Sequence, residues 1–209
     1  MSQRRGEIQF LKEREKEELE NVIKNDGGIN QKRNYAIYKI GLYCALRASE
    51  IGLIKESDLQ KTRYGTTIYC KRLKGSLNNT ILIIDPEIES ALSEYLAVKD
   101  EIYGPSPYLF PSLGSHGKPI SRKTLDKMIR RYCDNTSIPQ DKRHMHVLKH
   151  TRAVNLGEAG AEIAEIQWWL GHKNINNTMV YAQFTINRQL GLYNKLKHYK
   201  PIGDFELWN

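Results

Sequence analysis

Residues 66–84 read Thr66-Thr67-Ile68-Tyr69-Cys70-Lys71-Arg72-Leu73-Lys74-Gly75-Ser76-Leu77-Asn78-Asn79-Thr80-Ile81-Leu82-Ile83-Ile84, and this stretch decides the fold class. Its two ends, 66–70 and 80–84, are rich in β-branched and aromatic residues, the composition of strands. Between them, Lys71 to Ser76 and Asn78-Asn79 supply turn chemistry with basic flanks. The reading is a β-hairpin carrying cations at its tip. The segments on either side read as helix. One small antiparallel sheet in a helical chain makes a predominantly helical α+β domain rather than a parallel α/β sheet.

Toward the N-terminus, residues 10–25 are helix-forming and rich in Glu and Lys, and Asp26-Gly27-Gly28 ends them. The charge run Lys12–Glu20 reads as a solvated helix face. A second helix over about 31–44 carries Tyr35, Ile37, Tyr38, Ile40, Leu42 and Tyr43. It is apolar on most sides and belongs at the centre of the core. A short helix over 48–54 follows the turn at Arg47. Beyond the hairpin, Pro86 opens a helix to about residue 99. Residues 104–119 hold four of the seven prolines and read as a loop anchored by Leu109-Phe110. Helices follow over about 121–135, 145–159, 161–170, 177–182 and 186–198.

A chain of 209 residues fits one domain, here 1–200, with an irregular tail over 201–209. The net charge of +8 favours a polyanionic partner. Cys44, Cys70 and Cys133 are widely spaced and odd in number, so they read as small buried residues rather than disulfides or structural zinc ligands. Met1 to Gly6 leads into no apolar signal-peptide core. The most apolar stretch, around 35–54, contains Lys39, Arg47 and Glu50 and does not qualify as a membrane span. His146 and His150 have metal-ligand spacing, but no Glu lies between them as in H-E-x-x-H and no third ligand is evident. No metal or other cofactor is expected.

Two stretches about a hundred residues apart carry phosphate chemistry. The first is Ala45-Leu46-Arg47-Ala48-Ser49-Glu50-Ile51. The second runs from His146-Val147-Leu148-Lys149-His150-Thr151 through Leu170-Gly171-His172 to Tyr181. His146, Lys149, His150 and Ala153 fall on one helix face, so His146 and Lys149 point into one site. Gly171 is a helix terminator that presents His172. Cations, imidazoles and one phenol are the set a phosphodiester needs if a side chain is to attack it without a metal.

In these motifs the chain resembles the tyrosine recombinases, a family of phage integrases and chromosome-dimer resolvases, over roughly residues 30–190. H-x-L-(R/K)-H-T, then L-G-H, then a Tyr nine residues later, is the specific signature; Leu46 to Ile51 is similar to the family's L-R-x-S-E-I box. The short length and Arg72-Leu73-Lys74-Gly75 look most like the small recombinases that invert fimbrial promoters.

The resemblance implies site-specific DNA cutting and rejoining through a 3′-phosphotyrosyl intermediate. It makes Tyr181 the nucleophile, Arg47 a bidentate phosphate clamp and Lys74 the general acid for the leaving 5′-oxygen. His146 handles the tyrosine proton or shares a hydrogen bond to the phosphate, and His172 donates to the same phosphate. Glu50 is an orienting partner. Lys149 stands where the family usually has Arg, replacing a rigid fork with a point charge. Ala45 stands where the family often has Gly. Lys71, Arg72, Arg122 and Lys123, with Lys127, Arg130 and Arg131, form either a solvated face or a DNA-contact surface, and the positive charge beside a phosphate site favours DNA contact; Arg152 reaches toward the phosphate, the DNA backbone or solvent.

The implied partner is double-stranded DNA with specific recombination sites. The implied assembly is a homo-tetramer on DNA and a monomer or weak oligomer when free. The implied location is the cytoplasm, on the nucleoid, as a phage or mobile-element product. Phe205, Leu207 and Trp208 are expected to dock, on the chain itself or on a neighbouring protomer. Two other readings stay open: a catalytically weakened DNA-binding relative, and a type IB topoisomerase-like relaxase.

Overall fold

The computed structural model describes residues 8–114, 117–184 and 186–197. The elements run α1 (Glu13–Lys24), α2 (Gln31–Tyr43), α3 (Ala48–Gly52), β1 (Leu59–Thr62), β2 (Gly65–Cys70), β3 (Asn79–Ile83), α4 (Pro86–Tyr103), α5 (Arg122–Cys133), α6 (His146–Glu158), α7 (Ile163–Leu170), α8 (Asn176–Met179) and α9 (Ile186–Lys197). Local chemistry sets several of these boundaries. Asp85 accepts from the Glu87 N–H (2.9 Å) and Pro86 opens α4. Ser121 accepts from the Thr124 N–H (3.1 Å) at the start of α5.

Helix α2 runs through the core, with every residue from Arg33 to Gly41 buried. It packs against α1, α4 and α6. The sheet is antiparallel in the order β1-β2-β3, with Leu59 opposite Ile68 and Ile68 opposite Ile81. Ile68, Cys70, Ile81 and Ile83 are buried, so one face of the hairpin packs on the helices while the other meets water. The expected hairpin is present. Strand β1 was not anticipated: Leu59-Gln60-Lys61-Thr62 is a mostly exposed edge strand whose polar composition lacks apolar alternation.

The proline-rich connection over 104–119 is pinned where the sequence places its anchor. Leu109 and Phe110 are fully buried, Phe110 stacks on Tyr95 with ring centroids 5.5 Å apart, and the Tyr95 hydroxyl donates to the Leu109 carbonyl (2.7 Å). All three cysteines are buried and free. The charge run of α1 is more than a solvated face. Lys142 pairs with Glu15 (2.8 Å), and Glu18 accepts from both the Ser137 N–H (2.8 Å) and the Ser137 hydroxyl (2.7 Å). These bonds fasten α1 to the segment that leads into α6. Among the described residues no helix is long and apolar enough to cross a membrane. The tail over 201–209, with its expected docking, lies outside the described residues.

The anchored loop predicts a contrast. Phe110→Ala should cost about 3–5 kcal/mol of stability by emptying a buried aromatic site. Leu113→Ala, at a half-exposed position in the same loop, should stay within about 0.5 kcal/mol. Urea unfolding of both variants measures the difference.

Candidate active site

Arg47 ends the turn between α2 and α3. The chain enters that turn through Ala45, which has φ 51°. A left-handed conformation is the reason a glycine suits this position, and alanine holds it at a cost of about 1–2 kcal/mol. The Glu50 carboxylate is fully buried one turn into α3. It accepts from the Arg47 N–H (2.9 Å) and the Arg47 guanidinium (2.7 Å), and from the Leu73 N–H of the β2–β3 loop (3.1 Å). Burial works against its ionisation, but these bonds and the nearby Lys149 charge hold its pKa below the ordinary value. Glu50 thus ties the Arg47 guanidinium and the β2–β3 loop to the start of α3. Arg47 also donates to the Ser76 hydroxyl (3.1 Å) across the same loop.

Arg72 corrects the sequence reading. It is buried, not a DNA contact. Its Nε donates to Asn79 Oδ1 (3.1 Å), Nη1 to the Ala45 carbonyl (3.1 Å) and Glu50 (3.4 Å), and Nη2 to the Cys44 (3.0 Å) and Trp169 (2.8 Å) carbonyls. All five guanidinium N–H donors have partners, leaving none for a phosphate. Arg152 is a second correction. Its guanidinium lies 4.6 Å from the ring centroids of both Tyr43 and Trp169, a cation–π sandwich that draws it away from the phosphate motifs.

The hairpin loop is also tied to the L-G-H segment. Leu77 N–H donates to the Gly171 carbonyl (2.8 Å) and Asn79 to the Trp168 carbonyl (2.8 Å). Gly171 has φ 67°, and a Cβ there would sit 2.6 Å from the Leu77 oxygen and 2.8 Å from Arg72 Cγ. Only glycine permits both the turn and the close approach. Lys74, at the loop tip, also takes a positive φ of 57°. Local strain of this kind is held only where surrounding contacts enforce it.

The convergence creates a pocket of about 830 Å³. Arg47, Lys74, His146, Lys149, His172 and Tyr181 all line it, so the six residues expected to carry the chemistry share one cavity. Arg122 also lines it, and Arg122, Lys123, Lys127 and Arg130 edge an adjoining groove. Lys123 and Lys71 are exposed. Lys149 is buried beneath the pocket floor, its Nζ donating to the Leu170 carbonyl at the end of α7 (2.8 Å). Burial, with the Arg47 and Arg72 charges, pushes its pKa down to about 7. His172 is buried; its Nδ1 meets the Thr178 hydroxyl (3.0 Å), which leaves Nε2 as the unengaged ring nitrogen. Burial and the Lys149 and Arg47 charges lower it to about 4.

Tyr181 is buried and its phenol is 2.6 Å from His150 Nδ1. Burial raises the phenol to about 12, against the pull of Arg47. His150 is itself lowered to about 4, by burial first and then by His146, His144 and Lys149. His146, exposed on the pocket wall, is lowered to about 4 by desolvation in the pocket and by Lys149, His144 and Arg47. Its ring meets His150 edge-on with centroids 4.5 Å apart. Sequence reasoning placed His150 on the right helix face but gave it no role in the chemistry. Ser76 and Thr178 were missed because their partners become neighbours only in the fold.

Comparison with known proteins places these features in a lineage. Residues 9–188 match the model of the phage integrase family. The type 1 fimbriae regulatory protein FimB of Escherichia coli K12 is 28% identical over 182 residues, spanning 86% of this chain and 88% of FimB. The tyrosine recombinase XerC of Caldanaerobacter subterraneus is 30% identical over 168 residues, which cover 79% of this chain and 45% of XerC. Among solved structures, the XerA recombinase is 27% identical with a TM-score of 0.71, covering 91% of this chain and 66% of that one. The XerH site-specific recombinase bound to difH superimposes with a TM-score of 0.74 at 24% identity, covering 88% of this chain and 53% of XerH. This last likeness concerns the fold. The chain spans about half the length of these XerC and XerH relatives and most of FimB.

The depressed Lys149 makes the pocket's anion affinity pH-dependent. An anion beside Nζ favours the ammonium form, so binding just above neutral pH should take up protons, and affinity should fall as pH rises past about 7. Calorimetric titration with sulfate in buffers of different ionisation enthalpy should detect the uptake, and Lys149→Met should abolish it. In the free protein the folded chain binds fewer protons than the unfolded one between about 7 and the unfolded lysine value of about 10.4. Lys149 therefore makes stability rise with pH across that window.

Proposed function

The chain belongs to the phage integrase family of site-specific DNA recombinases, and from that premise we propose that it cuts and rejoins double-stranded DNA through Tyr181. The observation that carries this reading is the burial of the Tyr181 phenol in the same pocket as Arg47, Lys74, Lys149 and His172. In this reading the phenolic oxygen attacks the scissile phosphorus and forms a 3′-phosphotyrosyl bond while the bond to the 5′-oxygen breaks. Bond energy is conserved in the exchange, so the reverse attack by a 5′-hydroxyl reseals the strand without ATP.

Each side chain has a part suited to its chemistry. Arg47, oriented by Glu50, offers guanidinium donors to the non-bridging oxygens. Lys74 on its strained loop protonates the departing 5′-oxygen. His172, held through Nδ1 by Thr178, presents Nε2 to the phosphate as charge builds. His146 shares that hydrogen bonding. Lys149 neutralises charge from below once it gains a proton. Lys71, Arg122 and Lys123 follow the DNA backbone, with Lys127 and Arg130 beside them.

The DNA carries paired recognition sites, and the chain works on them as a homo-tetramer, being a monomer or weak oligomer when free. Exposed Leu190, Leu192, Tyr193 and Leu196 on α9 support a partner surface there. The setting is the cytoplasm, on the nucleoid. One observation favours a second reading, that of a weakened DNA-binding relative: Lys149 is buried, its charge is disfavoured there, and one of its donors is engaged by the Leu170 carbonyl.

A nicked duplex that loses its 5′ fragment on cleavage separates the two readings. The wild-type chain should become covalently trapped on such DNA, with the adduct mapped to Tyr181. Tyr181→Phe should bind equally well and form none. Binding without any wild-type adduct would establish the weakened relative, and an adduct on another tyrosine would remove Tyr181 from the mechanism.

A further inference from the structure

We propose that His150 is the proton acceptor for the Tyr181 nucleophile, and that the 2.6 Å contact between His150 Nδ1 and the phenol is the ground state of that proton transfer. The inference rests on the recombinase reading and adds a catalytic residue to it. The shared pocket alone does not say which of its imidazoles serves the tyrosine. The geometry does. His146 sits on the pocket wall, in edge contact with the His150 ring. His172 has its Nδ1 engaged with Thr178. His150 alone among these three has a hydrogen bond to Tyr181.

The protonation states suit the transfer. A phenol raised to about 12 keeps its proton at neutral pH and attacks poorly unless that proton leaves with the bond change. An imidazole lowered to about 4 is neutral at the same pH, so the phenol is the donor and Nδ1 the acceptor, with the ring proton on Nε2. As the phenolic oxygen closes on phosphorus, its O–H bond breaks and Nδ1 takes the proton. The phosphorus–oxygen bond to the leaving strand breaks, and that 5′-oxygen takes a proton from the Lys74 ammonium. The products are a phosphotyrosyl linkage, a 5′-hydroxyl, an imidazolium at His150 and a neutral Lys74. Resealing runs the same transfers backwards.

Phosphate negative charge makes the transfer easier, because it stabilises an imidazolium that burial and the neighbouring cations disfavour. The acceptor becomes competent when DNA is in place. This leaves His146 for hydrogen bonding to the phosphate and removes the tyrosine proton from its duties.

The test uses the full chain and nicked duplexes built from sequences that it enriches out of a random double-stranded library. Adduct formation by the wild-type chain tests the recombinase reading itself, and its failure on every enriched duplex would overturn that reading and this inference together. Given an adduct, His150→Asn is the decisive variant, since its Oδ1 accepts a hydrogen bond near the place of Nδ1 but is not basic. It should slow adduct formation by at least about 100-fold, within the usual range for general-base loss. A fluorotyrosine introduced at position 181 alone, with its more acidic phenol, should recover most of that loss while leaving the His146→Asn deficit in place. His150→Gln repeats the measurement if the Asn variant does not fold. Cleavage at the wild-type rate in either variant, or a deficit that fluorotyrosine does not relieve, would show that His150 is not the acceptor.

Discussion

The buried pair of Arg72 and Glu50 holds the active site together. A guanidinium removed from water is costly unless every donor is met, and Arg72 meets this condition with bonds to four parts of the chain. It reaches the C-terminal end of α2 through Cys44 and Ala45, the end of α7 through Trp169, β3 through Asn79 and α3 through Glu50. Carbonyls at helix ends carry partial negative charge and lack intrahelical donors, so they suit a cation. Glu50 uses its remaining capacity on Arg47 and Leu73. Arg47, the hairpin with Lys74 and the L-G-H turn are therefore joined through the two members of this ion pair, alongside the direct bonds of Leu77 and Asn79 to the L-G-H segment. Their functional side chains remain on the pocket side.

A pocket lined by so many cations and imidazoles disfavours further positive charge. Lys149 and three histidines all hold protons less readily than in water, because burial and mutual repulsion disfavour charge. A bound phosphodiester would reverse that balance, because its negative charge offsets the repulsion and favours the protonated forms. Under the proposed function, the same physics that disfavours charge in the site would couple substrate binding to activation.

Much of this was legible in the sequence because it depended on local pattern. The β-branched runs at 66–70 and 80–84 gave a hairpin with the expected strands, and the helical period placed His146, Lys149 and His150 on one face. Leu109-Phe110 announced itself as an apolar island in a polar loop. What was not legible came from long-range pairing. Strand β1 forms because β2 offers an edge, not because Leu59 to Thr62 has strand composition. Arg72 and Arg152 look like any surface cations in sequence; their burial depends on carbonyls and rings more distant in the chain. The His150 contact with Tyr181 joins residues 31 apart across two helices and a turn, and sequence spacing does not report which imidazole lies nearer. Ala45 is the reverse case, a residue type that conceals a left-handed backbone.

The direct test of the Arg72–Glu50 joint is amide hydrogen exchange on Arg72→Met, read beside its thermal midpoint and the salt dependence of DNA binding. The methionine keeps much of the buried volume and removes every donor. The account predicts that the Leu73 and Leu77 amides lose protection and that stability falls by about 3–5 kcal/mol, the usual cost of breaking a buried pair. If Arg72 instead contacted DNA, protection and stability would be unchanged and the salt slope of binding would shrink by about one phosphate contact. That second result would contradict the account.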